Sequence, residues 1–295
     1  MHRQKKIILA VNGATDSPAH FGSKGGLRKK NESTRSQRRL QTEPCVLLHK
    51  MIFLDDFSES EEVECYEAST DTYFEIMSID NENLLSKFYS GEIVSGVSTL
   101  MQEGAYFENG SLFVEDIENV QIVKGKGPET RRQLTTTSVN MLAVRVEARD
   151  ASTTSSEDEI RDAWFGTDGD PVNLKSQYGA CSYGKFQANQ ADTADVSNGV
   201  ITVSISDNVQ GVSDGVIRNS VSSALTASLG NLPSAEYDYV MQCLPPGTSG
   251  GWIAYAYINW YLSVYNDYWC NYVSAQMHGK LGVLYYVSVE LRFSP

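Results

Sequence analysis

Four histidines and five cysteines are the side chains of this sequence best suited to ligate a metal, move a proton near neutral pH or attack a carbonyl. His2, His20 and His49 fall in the first fifty residues, so His278 is the only imidazole in the last 246. A serine or cysteine nucleophile needs a base beside it. With His278 alone to serve one, hydrolase readings of that kind fall away. The sequence has no GxGxxG and no GxxxxGK[ST], which removes Rossmann and P-loop nucleotide sites. Cys45, Cys65, Cys181, Cys243 and Cys270 show no CxxC spacing, so neither a zinc ribbon nor a thioredoxin motif is present. Single, widely spaced cysteines suit disulfides. The odd count leaves one thiol unpaired or paired outside the chain. Asp168-Gly169-Asp170 starts like a calcium loop, but Gly179 stands at its twelfth position where a bidentate Glu belongs, and it reads as an acidic turn.

Two further features could bear on function. Trp252-Ile253-Ala254-Tyr255-Ala256-Tyr257-Ile258-Asn259-Trp260-Tyr261 is rich in rings with period two, as in a strand with small residues on one side and aromatics on the other. Trp252, Tyr255 and Tyr257 are therefore candidate contacts for a sugar or peptide, with a plain core strand as the alternative. Arg131-Arg132 sits inside KGKGPETRRQLTTTS (124–138), a linker composition in which a protease could cut or in which two arginines are simply solvated.

The elements that must position these residues follow from charge and periodicity. Residues 1–50 carry a net charge of +8, residues 51–130 one of −15 and residues 131–295 one of −6. The acidic body argues against nucleic-acid binding, which needs clustered Lys and Arg on folded surface. No apolar run approaches the roughly 20 residues of a membrane span. Residues 1–43 read as a basic, disordered leader. Its start resembles a signal peptide only in part: His2 to Lys6 is basic, but Ile7 to Val11 is shorter than the apolar stretch of about 7–15 residues an export signal carries. Asn31-Glu32-Ser33 and Asn109-Gly110-Ser111 are candidate glycosylation acceptors.

Residues 44–123 read as an acidic, β-rich domain with strands at Cys45–Leu48, Thr72–Met77 and Ser111–Val114. Cys45 and Cys65 then lie on neighbouring strands, within disulfide reach. After the linker come a strand at Met141–Ala148 and a helix opened by the capping box Ser156/Glu159, with Ile160, Ala163 and Trp164 on one face. A strand follows at Gly199–Ile205. A helix over 214–229 has Ile217, Val221, Leu225 and Leu229 in one stripe and Gly230 behind it. Tyr239–Leu244 reads as a buried strand, and 252–261 as the aromatic one.

The runs GTDGDPVNLKSQYGACSYGKF (166–186) and YVMQCLPPGTSGGWIAYAYIN (239–259), then Trp260–Asp267, Cys270 and Val273-Ser274-Ala275-Gln276-Met277-His278, resemble the gametolysin (autolysin) family of zinc metallopeptidases, of metzincin type. The resemblance covers about 139–278, and the acidic zone is similar to the family's propeptide region. It implies an α+β fold: a small β-rich propeptide-like domain, then the N-terminal part of a catalytic domain with a twisted mixed sheet and two main helices. It implies a secreted, extracellular zinc endopeptidase acting on protein or glycoprotein of matrix or cell wall, with His278 as first metal ligand of HExxHxxGxxH. In that motif two histidines at i and i+4 share a helix face with the Glu that polarises the metal-bound water.

Here the motif stops after its first residue. Gly279 stands where Glu is needed and Gly282 where the second His is needed, and no histidine follows. Zinc is thus expected in the complete family member and not in this chain, with no catalytic residue in place. Residues 279–295 look foreign to the family. Gly279-Lys280 can be encoded GGT AAG, which contains the intron donor GTAAG, so a retained intron truncating the active site and a genuinely diverged tail both remain open. A helix over 272–280 is what the family would supply. The alternative from another class is a non-enzymatic secreted binding module using the aromatic strand 252–261. Nothing in the sequence sets an oligomeric state.

Overall fold

The computed structural model describes residues 38–77, 80–114, 120–124, 137–169, 171–193 and 196–271. The fold is α+β. β1 (Arg39–Leu40), at the end of the stretch read as a disordered leader, is ordered by pairing with β6; the acidic part contributes β2 (Cys45–Leu54), β3 (Glu59–Glu67), β4 (Thr72–Met77), α1 (Asn81–Tyr89), β5 (Thr99–Met101), β6 (Tyr106–Glu108), β7 (Ser111–Phe113) and β8 (Gln121–Val123). The remainder contributes β9 (Thr137–Glu147), α2 (Glu157–Phe165), α3 (Leu174–Cys181), β10 (Phe186–Gln190), β11 (Val200–Ser204), α4 (Asp214–Leu229), β12 (Tyr239–Leu244), β13 (Trp252–Tyr257) and β14 (Leu262–Asn266).

All described strands join one sheet, whose main path runs β1-β6-β7-β4-β3-β2-β13-β14-β12-β9-β10. In its second half β9 is central. β12 lies along one edge of it, and β10 and β11 share the other, β10 against Thr137–Met141 and β11 against Ala143–Glu147. All of these pairings are parallel, as is β12 with β14. β13 alone runs antiparallel, to β14 on one side and to β2 on the other.

Side chains alternate across the pleat, and β9 sends them to two cores. Leu142, Val144 and Val146 face α4 with its stripe Ile217, Val221, Leu225 and Leu229. Met141 and Ala143 face α2 and α3 through Ile160, Trp164, Leu174 and Tyr178. The helix ends follow the local chemistry that the sequence announced. Ser156 and Glu159 form the reciprocal capping box of α2, and Gly230 ends α4 at φ +75°, a left-handed conformation that costs glycine little. β2 alternates as well: Cys45 and Leu47 enter a third core with Val63, Phe74, Leu84, Leu100 and Leu112, while Leu48 and Ile52 join the α4 core.

The structure departs from the sequence pattern in four places. The aromatic strand ends at Tyr257, not at Tyr261, because the chain turns through Asn259 at φ +56° and returns as β14. The two main helices are present as α2 and α4, and two more that the pattern did not announce join them, α1 in the acidic part and the eight-residue α3. β3 is a strand although five of its nine residues are glutamate, since it pairs along eight positions of β2. β10 was likewise not evident from its pattern FQANQ.

Cys45 and Cys65 form a disulfide at a Cα separation of 5.5 Å, and Cys243 and Cys270 a second at 5.9 Å. Cys181 is free and exposed. Non-reducing peptide mapping is expected to recover these two pairs, with Cys181 as the thiol that alkylates in the native protein.

Gly96 marks a close approach between the two halves. Its φ is +76°, and a Cβ there would lie 2.7 Å from the Asn259 carbonyl oxygen. Gly96→Ala is expected to cost roughly 1–3 kcal/mol, read as a lower urea midpoint with an unchanged denaturant slope.

Candidate functional site

His278 lies outside the described residues, as do Arg131-Arg132, Asp170 and the 279–295 tail. His49, on β2, is the one described histidine. Its Nε2 is 2.7 Å from Glu61 Oε2, and its ring packs against Phe88 and Tyr89. Among the described residues no three His, Cys, Asp or Glu side chains gather as a metal site. The donor set that zinc catalysis requires is also broken in the sequence at Gly279 and Gly282. The residues present do not fit the metal.

What the structure brings together is a buried charge cluster on β13. Trp252, Tyr255 and Tyr257 are 4%, 1% and 0% exposed, enclosed because β13 is an interior strand with α4 across one face. Trp252 packs on the Tyr255 ring at 5.3 Å, and its carbonyl accepts from Asn266. The Tyr257 hydroxyl donates to Glu64 Oε2 at 2.7 Å and accepts from Arg218 Nη1. Arg218 Nη1 in turn donates to Glu64 at 2.8 Å, and the guanidinium lies 4.5 Å over the Tyr73 ring. Lys50 Nζ reaches Glu64 at 3.1 Å, Glu62 at 3.1 Å and Asp214 at 3.7 Å, with the Tyr255 ring 4.3 Å away.

Lys50, Glu64 and Arg218 are 5%, 5% and 2% exposed. A lone buried charge is costly; paired and hydrogen-bonded ones can persist. Burial alone would raise the Glu64 pKa, but Arg218 and Lys50 outweigh it and the Tyr257 hydroxyl adds to them, so the carboxyl is held at about 2. Burial would lower Lys50, yet Glu64, Asp214 and Glu62 overcome it and keep the ammonium protonated. Burial also raises the Tyr255 and Tyr257 hydroxyls well above their usual range. Both phenols stay protonated, and that of Tyr257 donates to Glu64.

Sequence reasoning did not single out Lys50, Glu64 or Arg218. The signal was a charge set in an apolar context: Lys50 within CVLLHKMIFL, Glu64 between Val63 and Cys65, Arg218 beside Ile217 on the apolar stripe of α4. A second overlooked pattern is Gly247-Thr248-Ser249-Gly250-Gly251, which has G-x-S-x-G spacing. It links β12 to β13, two strands, whereas a nucleophile elbow joins a strand to a helix. The Ser249 backbone N–H there donates to the Val212 carbonyl at 2.8 Å.

Because the folded Glu64 pKa lies below its ordinary 4.5, its stabilisation is complete above about pH 4.5 and is lost as pH falls towards 2. Its size is about 3 kcal/mol at neutral pH. Glu64→Gln is expected to lower stability by that order at pH 7. In urea titrations the gap between variant and parent narrows steadily between pH 4.5 and pH 2.

Residues 143–282 match the family model of gametolysin peptidase M11. No curated protein and no solved structure matches the chain. The matched segment holds the end of β9 from Ala143, the strands β10 to β14 and the helices α2 to α4, and the quoted motif runs at 166–186 and 239–259 fall within it. Over that segment, a little under half of its length, the chain is similar to the gametolysin family of metallopeptidases.

Proposed function

We propose that this chain is a secreted, extracellular member of a zinc metalloendopeptidase family whose substrates are proteins or glycoproteins of matrix or cell wall, and that in its present sequence it does not hydrolyse peptides. The observation that carries the reading is His278-Gly279-Lys280-Leu281-Gly282 in a segment matched by the family model. Glycine can neither polarise a metal-bound water nor ligate the metal, and a single imidazole leaves the remaining positions unfilled. The acidic residues 44–123 stand as its propeptide-like domain, 124–138 as the linker with its dibasic site, 139–278 as the peptidase domain and 279–295 as a tail foreign to the family. Among the described residues no helix is long and apolar enough to cross a membrane.

His278 is in this reading a displaced ligand. Trp252, Tyr255 and Tyr257 are substrate contacts only once β2 is no longer beside β13, because all three are buried. The same burial weakens the alternative of a binding module that uses this strand as an open contact surface.

The purified 295-residue chain, supplied with zinc, is expected to leave a denatured protein substrate intact. Cleavage that a chelator abolishes would overturn the inactivity. Zinc stoichiometry compared between the chain and His278→Ala is expected to be equal and near zero. When Gly279→Glu and Gly282→His are introduced together, recreating His-Glu-x-x-His, zinc uptake that depends on His278 is the expected result. Uptake that persists without His278 would remove it from the ligand set.

A further inference from the structure

We propose that segment 38–124 is a built-in strand-addition partner of segment 137–271, with β2 occupying the edge of β13, and that it keeps this seat after the connection between the two is cut. This inference goes beyond the proposed function and holds whether or not the chain hydrolyses anything.

The seat is built at three levels. In the main chain, β2 pairs antiparallel with β13 in the register Tyr257↔Lys50, Ala256↔Met51, Tyr255↔Ile52 and Ala254↔Phe53. The ladder continues past both strand ends, with Ile258 N–H donating to the His49 carbonyl and Asp55 N–H to the Gly251 carbonyl, each at 2.9 Å. In the apolar layer, Leu48, Ile52, Tyr66 and Tyr73 from one segment share a core with β9, α4 and β13 of the other. In the charge layer, Lys50 and Glu64 come from one side and Asp214 and Arg218 from the other, so every ion pair of the cluster except those of Lys50 with Glu62 and Glu64 crosses the seam.

Segment 38–124 also has the means to hold its own shape. It carries a separate core and the Cys45–Cys65 disulfide. None of the seam contacts named above passes through residues 125–136. Cutting there turns an intramolecular contact into a bimolecular one and removes no contact named here, so the cost is the effective concentration that the tether supplied. While β2 is seated, the β13 edge is closed. Were it to leave, the freed N–H and C=O groups of β13 would form a template for any extended polypeptide. The occupant we assign to that edge is the chain's own β2.

The test uses the full chain with a recognition sequence for a site-specific protease placed between residues 125 and 136. After complete cleavage, the two fragments are expected to co-elute in native size-exclusion chromatography, with the amides of β13 as protected from hydrogen exchange as in the uncut chain. In cut chain carrying Glu64→Gln, the dissociation constant of the fragments is expected to rise at least tenfold. The β13 amides then lose protection while those of β12 keep theirs. Separation of the unsubstituted fragments in native buffer would overturn the proposal, and so would an unchanged dissociation constant in the variant. Should uncut Glu64→Gln fail to fold by circular dichroism, Lys50→Met, which keeps the stem's packing and removes the charge, takes its place under the same tenfold criterion. No arm of the experiment reads peptidase activity, so its failure is distinct from a failure of the functional reading.

Discussion

The buried carboxylate of Glu64 is the constraint on which much of this architecture depends. It accepts from Arg218 on α4, from Tyr257 on β13 and from Lys50 on the neighbouring strand β2. Removing a partner from such a site leaves a charge without solvent, which costs roughly 3–5 kcal/mol, although an apolar replacement of the whole cluster could be neutral. The cluster therefore contributes less to net stability than to uniqueness. An α4 rotated about its axis, or a β2 shifted by one residue, would strand one of these charges. A shift of one residue would also turn Leu48 and Ile52 out of the α4 core.

β13 is where that constraint meets the topology. A strand between a parallel-paired sheet and an antiparallel hairpin must present pairing groups on both edges and pack on both faces. WIAYAY suits this: Ile253, Ala254 and Ala256 fit the tight α2 side, while Trp252, Tyr255 and Tyr257 fill the α4 side. The tyrosines give that second face what aliphatic residues could not, a hydroxyl donor for Glu64 and a ring for the Lys50 ammonium. The ring-rich pattern that looks in the sequence like a ligand grip is, in the seated state, the lining of an internal ion site.

Much of the second half was legible because its signals are local. The stripe of α4, its closing glycine, the capping box of α2 and the run YVMQCL each belong to one element and are read without neighbours. Illegible were the parts whose logic is cross-strand. ESEEVECYE carries the composition of a solvated loop, and only against Lys50, Arg218 and the His49 ring does its charge become a reason to be a strand. The same holds for the candidate site: Lys50, Glu64 and Arg218 stand far apart in sequence, each an isolated charge in an apolar run. The Cys45–Cys65 pairing was legible because both cysteines fall in the one acidic zone between leader and linker, although the strand that carries Cys65 was not. Cys243–Cys270 was not, since it joins the end of one strand to a short turn that no periodicity marks.

That turn shows how scaffold and chemistry separate in this chain. Residues 267–271 are pinned from three directions: Cys270 by its disulfide to β12, the Cys270 carbonyl by the Trp164 indole N–H at 2.9 Å, and Asp267 by the Thr154 N–H at 2.7 Å. Anchoring of this density is what a catalytic constellation needs from its support, since displacements of about 1 Å can cost orders of magnitude in rate. In the reading proposed above, Cys270 stands eight residues ahead of the ligand His278, and the positions that would use this anchor carry Gly279 and Gly282. The described sheet, its three cores and its charge cluster are held by contacts among residues 38–271. On that reading, the incomplete motif bears on chemistry, while the framework rests on contacts that the described residues make with one another.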